Sequence, residues 1–363
     1  TRKYLSTTHK DLSTSAWKTI QDLWKEHPKK LILCGQHQDE NIVSLLSTWT
    51  KKYHIPILAD IISQGHQIPE AITDTEDLFP ELNKSLIPDL ILNLGGHFLS
   101  KPMKNFWRKY PPKVQLVVSP RNEDIFQCLS HSIPTSSKSF LAKGLKNLKH
   151  QPKPNEITYY QNWIQKAKEF QTQKKKFLKT LNKGFLHATN LVMNALPQDS
   201  YLHLANSMSV RYACQVGLAE GQKRVQVFAN RGVGGIDGCL SSAVGMALGI
   251  PDKIHSLIIG DMAFFYDRNG LWHQHIPHNL RIILLNDHGG GIFKIIASTQ
   301  DLPERDEYFV TQQSLSAQNT CLDLGIEYFR SSPSSPKDIS KYLLELFDPS
   351  THPKLLEIDS LVP

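Results

Sequence analysis

The sequence predicts an α/β protein of two doubly wound domains, each built on a mainly parallel sheet. Three observations carry that expectation. Short, continuous apolar runs alternate with amphipathic stretches, the pattern of strands covered by helices on both faces. The alternation comes in two series, parted by "HQPKPNEITYYQNWIQKAKEFQTQKKKFLKTLNKG", in which closely spaced prolines precede a Lys- and Gln-rich helical stretch. The 363 residues are also enough for two domains of ordinary size.

In chain order, "KKLILCG", "IPILAD", "PDLILNLGG" and "VQLVVSP" read as the strands of a first domain over 1–150, Rossmann-like but without a dinucleotide site. Residues 151–184 read as a linker containing a helix. "SYLHLAN", "RVQVFAN", "HSLIIGD", "LRIILLND" and "KLLEID" then supply the strands of a second domain over 185–363. No segment repeats at a fixed period.

Composition narrows the function classes. No apolar run approaches the roughly 20 residues that span a bilayer, and no apolar stretch follows the basic N-terminal residues as a secretory signal requires. The five cysteines are scattered and never spaced C-x-x-C, which argues for a reducing cytoplasm without a disulfide framework or zinc site. The formal charge of +7 is concentrated in "KGLKNLKH" and "QKKKFLKTLNK". Neither stretch interleaves aromatics, so solvated helix faces are expected rather than a nucleic-acid surface. Positive potential also suits small anionic substrates.

The chemistry gathers at strand ends. "IHSLIIGD" ends in Gly260-Asp261 and "LRIILLND" in Asn286-Asp287, with the two aspartates 26 residues apart (287 − 261). That separation accommodates a helix and a return strand, and ligands of parallel sheets lie beyond the carboxyl ends of the strands. Two carboxylates and a carbonyl near Gly289 would offer hard oxygens to Mg²⁺, which commonly completes its shell with phosphate and water. The glycines allow close backbone approach. The alternative is that Asp261 caps a helix and "NDHGGG" is a turn, since Asp and Asn serve both purposes.

Taken together, "NRGVGGIDG" (Asn230 to Gly238), "GDMAFFYDRNGL" and "NDHGGGIF" resemble the thiamine-diphosphate enzymes of the 2-succinyl-5-enolpyruvyl-6-hydroxy-3-cyclohexene-1-carboxylate synthase family of menaquinone biosynthesis. The resemblance is close over 201–296 and looser over 1–150. It implies that Asp261, Asp287 and the Gly289 carbonyl hold Mg²⁺ or Mn²⁺, and that Gly260, Met262, Gly290 and Ile292 line the cofactor. The family often has asparagine where Asp287 stands, so this site carries an extra carboxylate. Ile292 and Phe293 match residues close to cofactor and substrate, although an Ile-Phe pair also suits plain core packing.

"LANSMSVR" places Ser207 at a strand end and Arg211 four residues on, on one helix face. A helix N-terminus with an arginine suits a carboxylate. By the resemblance Ser207, Arg211 and Arg231 bind substrate carboxylates, and Phe293 borders the substrate. "GGHFLSKPMKNF" matches a segment in which a Lys-Arg pair reaches the active site. Lys101 keeps the lysine, but Pro102 replaces the arginine and offers no side-chain donor.

Two other motifs fail. "RGVGGIDG" misses the dinucleotide register, because Asp237 stands where the third glycine belongs. "HGGG" resembles an esterase oxyanion loop, but no G-x-S-x-G accompanies it.

The resemblance therefore implies thiamine-diphosphate-dependent decarboxylation of 2-oxoglutarate and addition of the succinyl carbanion equivalent to isochorismate. No residue here matches the family's activating glutamate, which lies on an N-terminal pyrimidine-binding domain. A fragment missing that domain, inactive by itself and homo-oligomeric when complete, is the expectation. The alternatives are a related 2-oxo-acid decarboxylase and a noncatalytic thiamine-fold binding module.

Overall fold

The computed structural model describes residues 3–4, 7–8, 11–37, 41–79, 82–121, 123–222 and 224–362. The chain divides into two compact units, Thr1–Lys175 and Lys176–Pro363.

The first unit contains β1 (Lys3–Tyr4), β2 (Thr7–Thr8), β3 (Asp11–Leu12), β4 (Lys30–Cys34), β5 (Ile57–Ala59), β6 (Ala71–Ile72), β7 (Leu90–Leu94), β8 (Val114–Val118) and β9 (His131–Ile133). Its helices are α1 (Thr14–Glu26), α2 (Asn41–Tyr53), α3 (Lys101–Lys109), α4 (Ser137–Asn147) and α5 (Pro154–Thr180), the last running past the unit boundary. Seven strands form one sheet in the order β1-β9-β8-β7-β4-β5-β6, and every pairing in it is parallel. β2 and β3 make a separate antiparallel pair.

Alternate residues of the central strands feed opposite faces. Ile32, Leu92 and Leu116 pack under α1, α2 and α4 with Trp24, Trp49 and Phe140. Leu31, Leu33 and Ile91 pack under α3 and α5 with Trp107, Tyr159 and Trp163. Strands so enclosed gain from being apolar at every position, which is why they read as unbroken runs. The helices begin where a serine can accept a backbone N–H: Ser13 from Ala16, Ser100 from Met103 and Ser136 from Ser139. Pro102 sits in the first turn of α3, where its missing N–H leaves no intrahelical bond unmade.

The helix read as part of the linker places Tyr159, Trp163 and Ala167 in the core of the first unit. Its start is pinned by Glu156, which forms a buried salt bridge with Lys30 and accepts the Lys153 N–H at 2.7 Å. His150 Nε2 lies 2.9 Å from the same carboxylate.

The second unit contains α6 (Phe185–Ala195), β10 (Tyr201–Leu204), α7 (Met208–Val216), β11 (Gln226–Phe228), α8 (Cys239–Gly249), β12 (His255–Gly260), α9 (Asp261–Asp267), β13 (Leu280–Asn286), α10 (Gln318–Leu324), β14 (Glu327–Ser331), α11 (Pro336–Phe347) and β15 (Lys354–Asp359). The six-stranded sheet runs β11-β10-β12-β13-β15-β14, again parallel throughout. Leu257, Ile259, Leu280, Ile282 and Leu284 pack with α8, α9 and α10 residues such as Ala243, Phe264 and Cys321. The strand order reverses between β10 and β12, the position at which parallel sheets open a crevice for ligands.

Every strand read from the sequence forms. The short strands β1, β2, β3, β6 and β9 are too brief to show an apolar run, and the edge strand β14, whose "EYFRS" is polar and largely accessible, shows none either. Among the described residues no helix is long and apolar enough to cross a membrane.

Candidate functional site

A cavity of about 500 Å³ opens at the carboxyl edge of the second unit's sheet, lined by residues from the ends of β10, β12 and β13 and from the loop after β11. Ser207, Arg211, Arg231, Gly260, Asp261, Met262, Asp287, Gly289, Gly290, Ile292 and Phe293 all line it. Lys101 belongs to the first unit, where it is exposed in the first turn of α3.

β12 and β13 are adjacent, with Gly260 in register with Leu285, so the two aspartates leave neighbouring strands at one edge. Asp261 is not the cap of α9: Gly260 occupies that position, and Asp261 is the buried first residue of the helix. Burial raises its carboxyl above the ordinary range, while the Gln313 amide and the backbone at Met262 oppose the rise. Asp287 remains open to the cavity. The surrounding protein and the Asp261 charge push its carboxyl up to about 7.

Such a pair can relieve its repulsion by sharing a proton or a cation. The donor set suits a hard divalent ion: two carboxylates facing a cavity, with a glycine-rich backbone beside them. Among the described residues no group of three or more His, Cys, Asp or Glu side chains is placed to hold a metal. A six-coordinate ion here would take its remaining oxygens from backbone, ligand and water.

The glycines are required by a close crossing. Gly289 has φ of +155°, and a Cβ there would lie 2.8 Å from the Val310 carbonyl oxygen. A Cβ on Gly290 would meet the Phe309 carbonyl at the same distance. The Gly290 N–H donates to Val310 O at 2.7 Å, fastening the π-helical turn Arg305–Val310 across the loop. Phe309 and Phe293, with ring centroids 5.5 Å apart, form part of the apolar wall.

On the anion-binding side, Ser207 precedes α7 with φ of +75° and ψ of −131°, a backbone conformation that is costly for a residue with a Cβ. Ser207 therefore lies before the helix and does not share a helix face with Arg211 as its spacing suggests; the two are joined instead through the Ser207 carbonyl, which accepts from Arg211 Nη1 at 2.6 Å. Arg231 donates to the side chain of buried Asn206, whose amide donates in turn to the carbonyls of Asn230, at 3.0 Å, and Gly235. Asn206 thus closes the loop that carries Arg231.

Asn206, Phe185, Tyr212, Ile296, Phe309 and Gln313 also belong to the site and carry no recognisable motif in the sequence. Asn206 stands in "LANSMSVR", directly before Ser207, so its position alone marks it. Tyr212 and Ile296 lie close to Arg211 and Phe293 in the sequence, whereas Phe185, Phe309 and Gln313 reach the site only through tertiary folding.

The fold and site together define a thiamine-diphosphate-type α/β protein: parallel sheets, with an acid pair and glycine loops at the carboxyl edge of the second. No family model matches the sequence. Curated relatives do match. The chain is 36% identical over 364 residues to the 2-succinyl-5-enolpyruvyl-6-hydroxy-3-cyclohexene-1-carboxylate synthase of Cytophaga hutchinsonii, covering 96% of this chain and 61% of that protein. The Flavobacterium johnsoniae protein of the same name is 33% identical, covering 93% and 60%. That of Desulfotalea psychrophila is 29% identical, covering 96% and 62%. Over nearly all of its own length the chain is similar to proteins of this 2-succinyl-5-enolpyruvyl-6-hydroxy-3-cyclohexene-1-carboxylate synthase family, and it spans about three fifths of the length of these relatives.

Proposed function

We propose that the second unit is the diphosphate half of a thiamine-diphosphate site. In this reading Asp261, Asp287 and the Gly289 carbonyl hold Mg²⁺ or Mn²⁺, and Gly260, Met262, Gly290 and Ile292 flank the cofactor. The complete protein is a transferase of menaquinone biosynthesis that decarboxylates 2-oxoglutarate and joins the remaining four-carbon unit to isochorismate. The observation that carries the reading is the meeting of Asp261 and Asp287 on one wall of a cavity also lined by Arg211 and Arg231.

When bound, the cofactor supplies the electron sink for loss of carbon dioxide. The residues of this chain supply charge and position. Arg211 and Arg231 offer donors to the carboxylates that both substrates carry, Ser207 adds a hydroxyl beside them, and Phe293 gives an apolar surface. Lys101 enters the reading through the family resemblance alone. Turnover is assigned to the complete enzyme, with its pyrimidine-binding domain and an oligomeric partner subunit. Product analysis with and without isochorismate separates the synthase from a simple 2-oxo-acid decarboxylase.

The direct test is a thermal-shift titration of this chain with thiamine diphosphate, with and without Mg²⁺. A ligand at a hundredfold excess over its dissociation constant stabilises the native state by about 2.7 kcal/mol, or roughly 5–10 °C for a domain of this size. A rise that requires Mg²⁺ is expected. No rise at millimolar cofactor and Mg²⁺ overturns the reading of this unit as a binding site in its own right.

A further inference from the structure

We propose that Gln313 is a positioning residue for the metal-binding acid pair. The inference rests on the reading above, in which Asp261 ligates a divalent cation.

Gln313 follows the π-helical turn that crosses the glycine loop, and its backbone N–H donates to His288 O at 3.1 Å. Its side-chain amide makes three further contacts. Nε2 donates to Asp261 Oδ2 at 2.6 Å and to Asn286 Oδ1 at 3.3 Å, and Oε1 accepts the Leu315 N–H. These partners fix which way the amide faces. The Leu315 N–H can only donate and the Asp261 carboxylate, once ionised, can only accept, so the nitrogen must face Asp261. Gln313 is therefore a donor to the carboxylate rather than an oxygen ligand of the cation.

The amide is held on a rigid base. Asn286 is fully buried, and its Nδ2 donates to Glu357 Oε1 at 2.6 Å and to Leu315 O at 2.9 Å. Glu357, also fully buried, accepts from Tyr328 Oη at 2.6 Å and from the Ala317 N–H at 3.1 Å. Gln313 ties Asp261 to this frame. By donating to Oδ2 it fixes the plane in which the carboxylate is presented to a cation. Outer partners of this kind alter metal affinity 10–100-fold in characterised sites, approximately, because a ligand free to rotate must be ordered at the moment of binding.

The test uses Gln313→Leu, which removes the amide at similar size, and Gln313→Asn, which shortens its reach. Mg²⁺ is titrated at fixed, saturating thiamine diphosphate, and melting temperature is read with and without ligands. The expected result is a rise of about tenfold or more in half-saturating Mg²⁺. The full shift should return at high Mg²⁺, and the ligand-free melting temperature should fall by no more than the loss of the amide's three hydrogen bonds accounts for, roughly 6–12 °C. A merely structural residue would not be rescued by cation. An unchanged Mg²⁺ midpoint in a chain whose parent responds to the cofactor overturns the assignment and leaves the cofactor reading standing. Loss of the shift at every Mg²⁺ concentration, with a collapsed ligand-free melting temperature in both variants, also overturns it, making Gln313 a residue of the fold. A parent chain that does not respond at all removes both.

Discussion

Asp261→Ala is expected to abolish the Mg²⁺-dependent rise in melting temperature given by thiamine diphosphate. Asp261 is the buried member of the acid pair, fixed at the first residue of α9 and tied to Gln313 at 2.6 Å. Without it, a cation would have Asp287 as its sole side-chain carboxylate at the site. The diphosphate would then lack the charge that offsets its approach to Asp287. Arg211→Ala in the same assay should leave the rise in place, because Arg211 is assigned to substrate carboxylates. An undiminished rise in the Asp261 variant would remove the cation from these residues.

The same pair sets a pH dependence. Asp287 has its folded-state pKa raised to about 7, well above the ordinary aspartate value. A raised carboxyl binds its proton more tightly in the folded state. Its contribution to stability is thus full below the unfolded pKa near 4 and is lost as pH rises through about 7. Mg²⁺ competes with that proton, so apparent Mg²⁺ affinity should strengthen from pH 6 to 8 and level off above. Asp287→Asn removes the proton and should flatten the profile. A slope that survives the substitution would place the titrating group elsewhere.

The other large effect concerns the first unit. Glu156→Ala should destabilise it by about 3–5 kcal/mol, because a buried ammonium is left without its partner. The side chains of Lys30 and Glu156 are 3% and 6% exposed, so water cannot replace the lost carboxylate. Burial alone would raise the Glu156 carboxyl, but hydrogen bonds from Lys30, Lys153 and His150, with the Lys30 charge, hold it below its ordinary value. Burial lowers the Lys30 ammonium, and Glu156 offsets only part of that. A Lys30→Met, Glu156→Leu double variant, in which no charge is stranded, should recover most of the loss. Urea denaturation of the parent and the two variants tests this, and a double variant as unstable as Glu156→Ala would refute the stranded-charge account.

The central strands could be read from sequence because both faces of each sheet are covered, which makes the strands apolar at every position. β14 escaped the same reading because an edge strand has one neighbour and keeps polar residues such as Glu327 and Arg330. Asp261 and Asp287 were visible as acids directly following apolar runs, a local signature. Gln313 and Phe309 have no such signature. Their segment returns to the site by crossing Gly289 and Gly290, and only the fold makes that crossing. Asn206 is intermediate: it adjoins Ser207 at a strand end, but its bonds to the loop at 230–235 depend on β10 and β11 lying side by side.

All-parallel pairing has a consequence for the order in which this chain can assemble. No two neighbouring strands within either main sheet are joined by a tight hairpin. Even the pairing of Ile32 with Ile57 waits for an intervening helix, and Lys3 meets His131 only after about three quarters of the first unit's sequence has been made. Closing longer loops costs more entropy before any contact repays it, so non-local pairings form slowly. β1 must therefore dock late, onto a β9 edge already in place, and until then that edge stands open to strands of other chains.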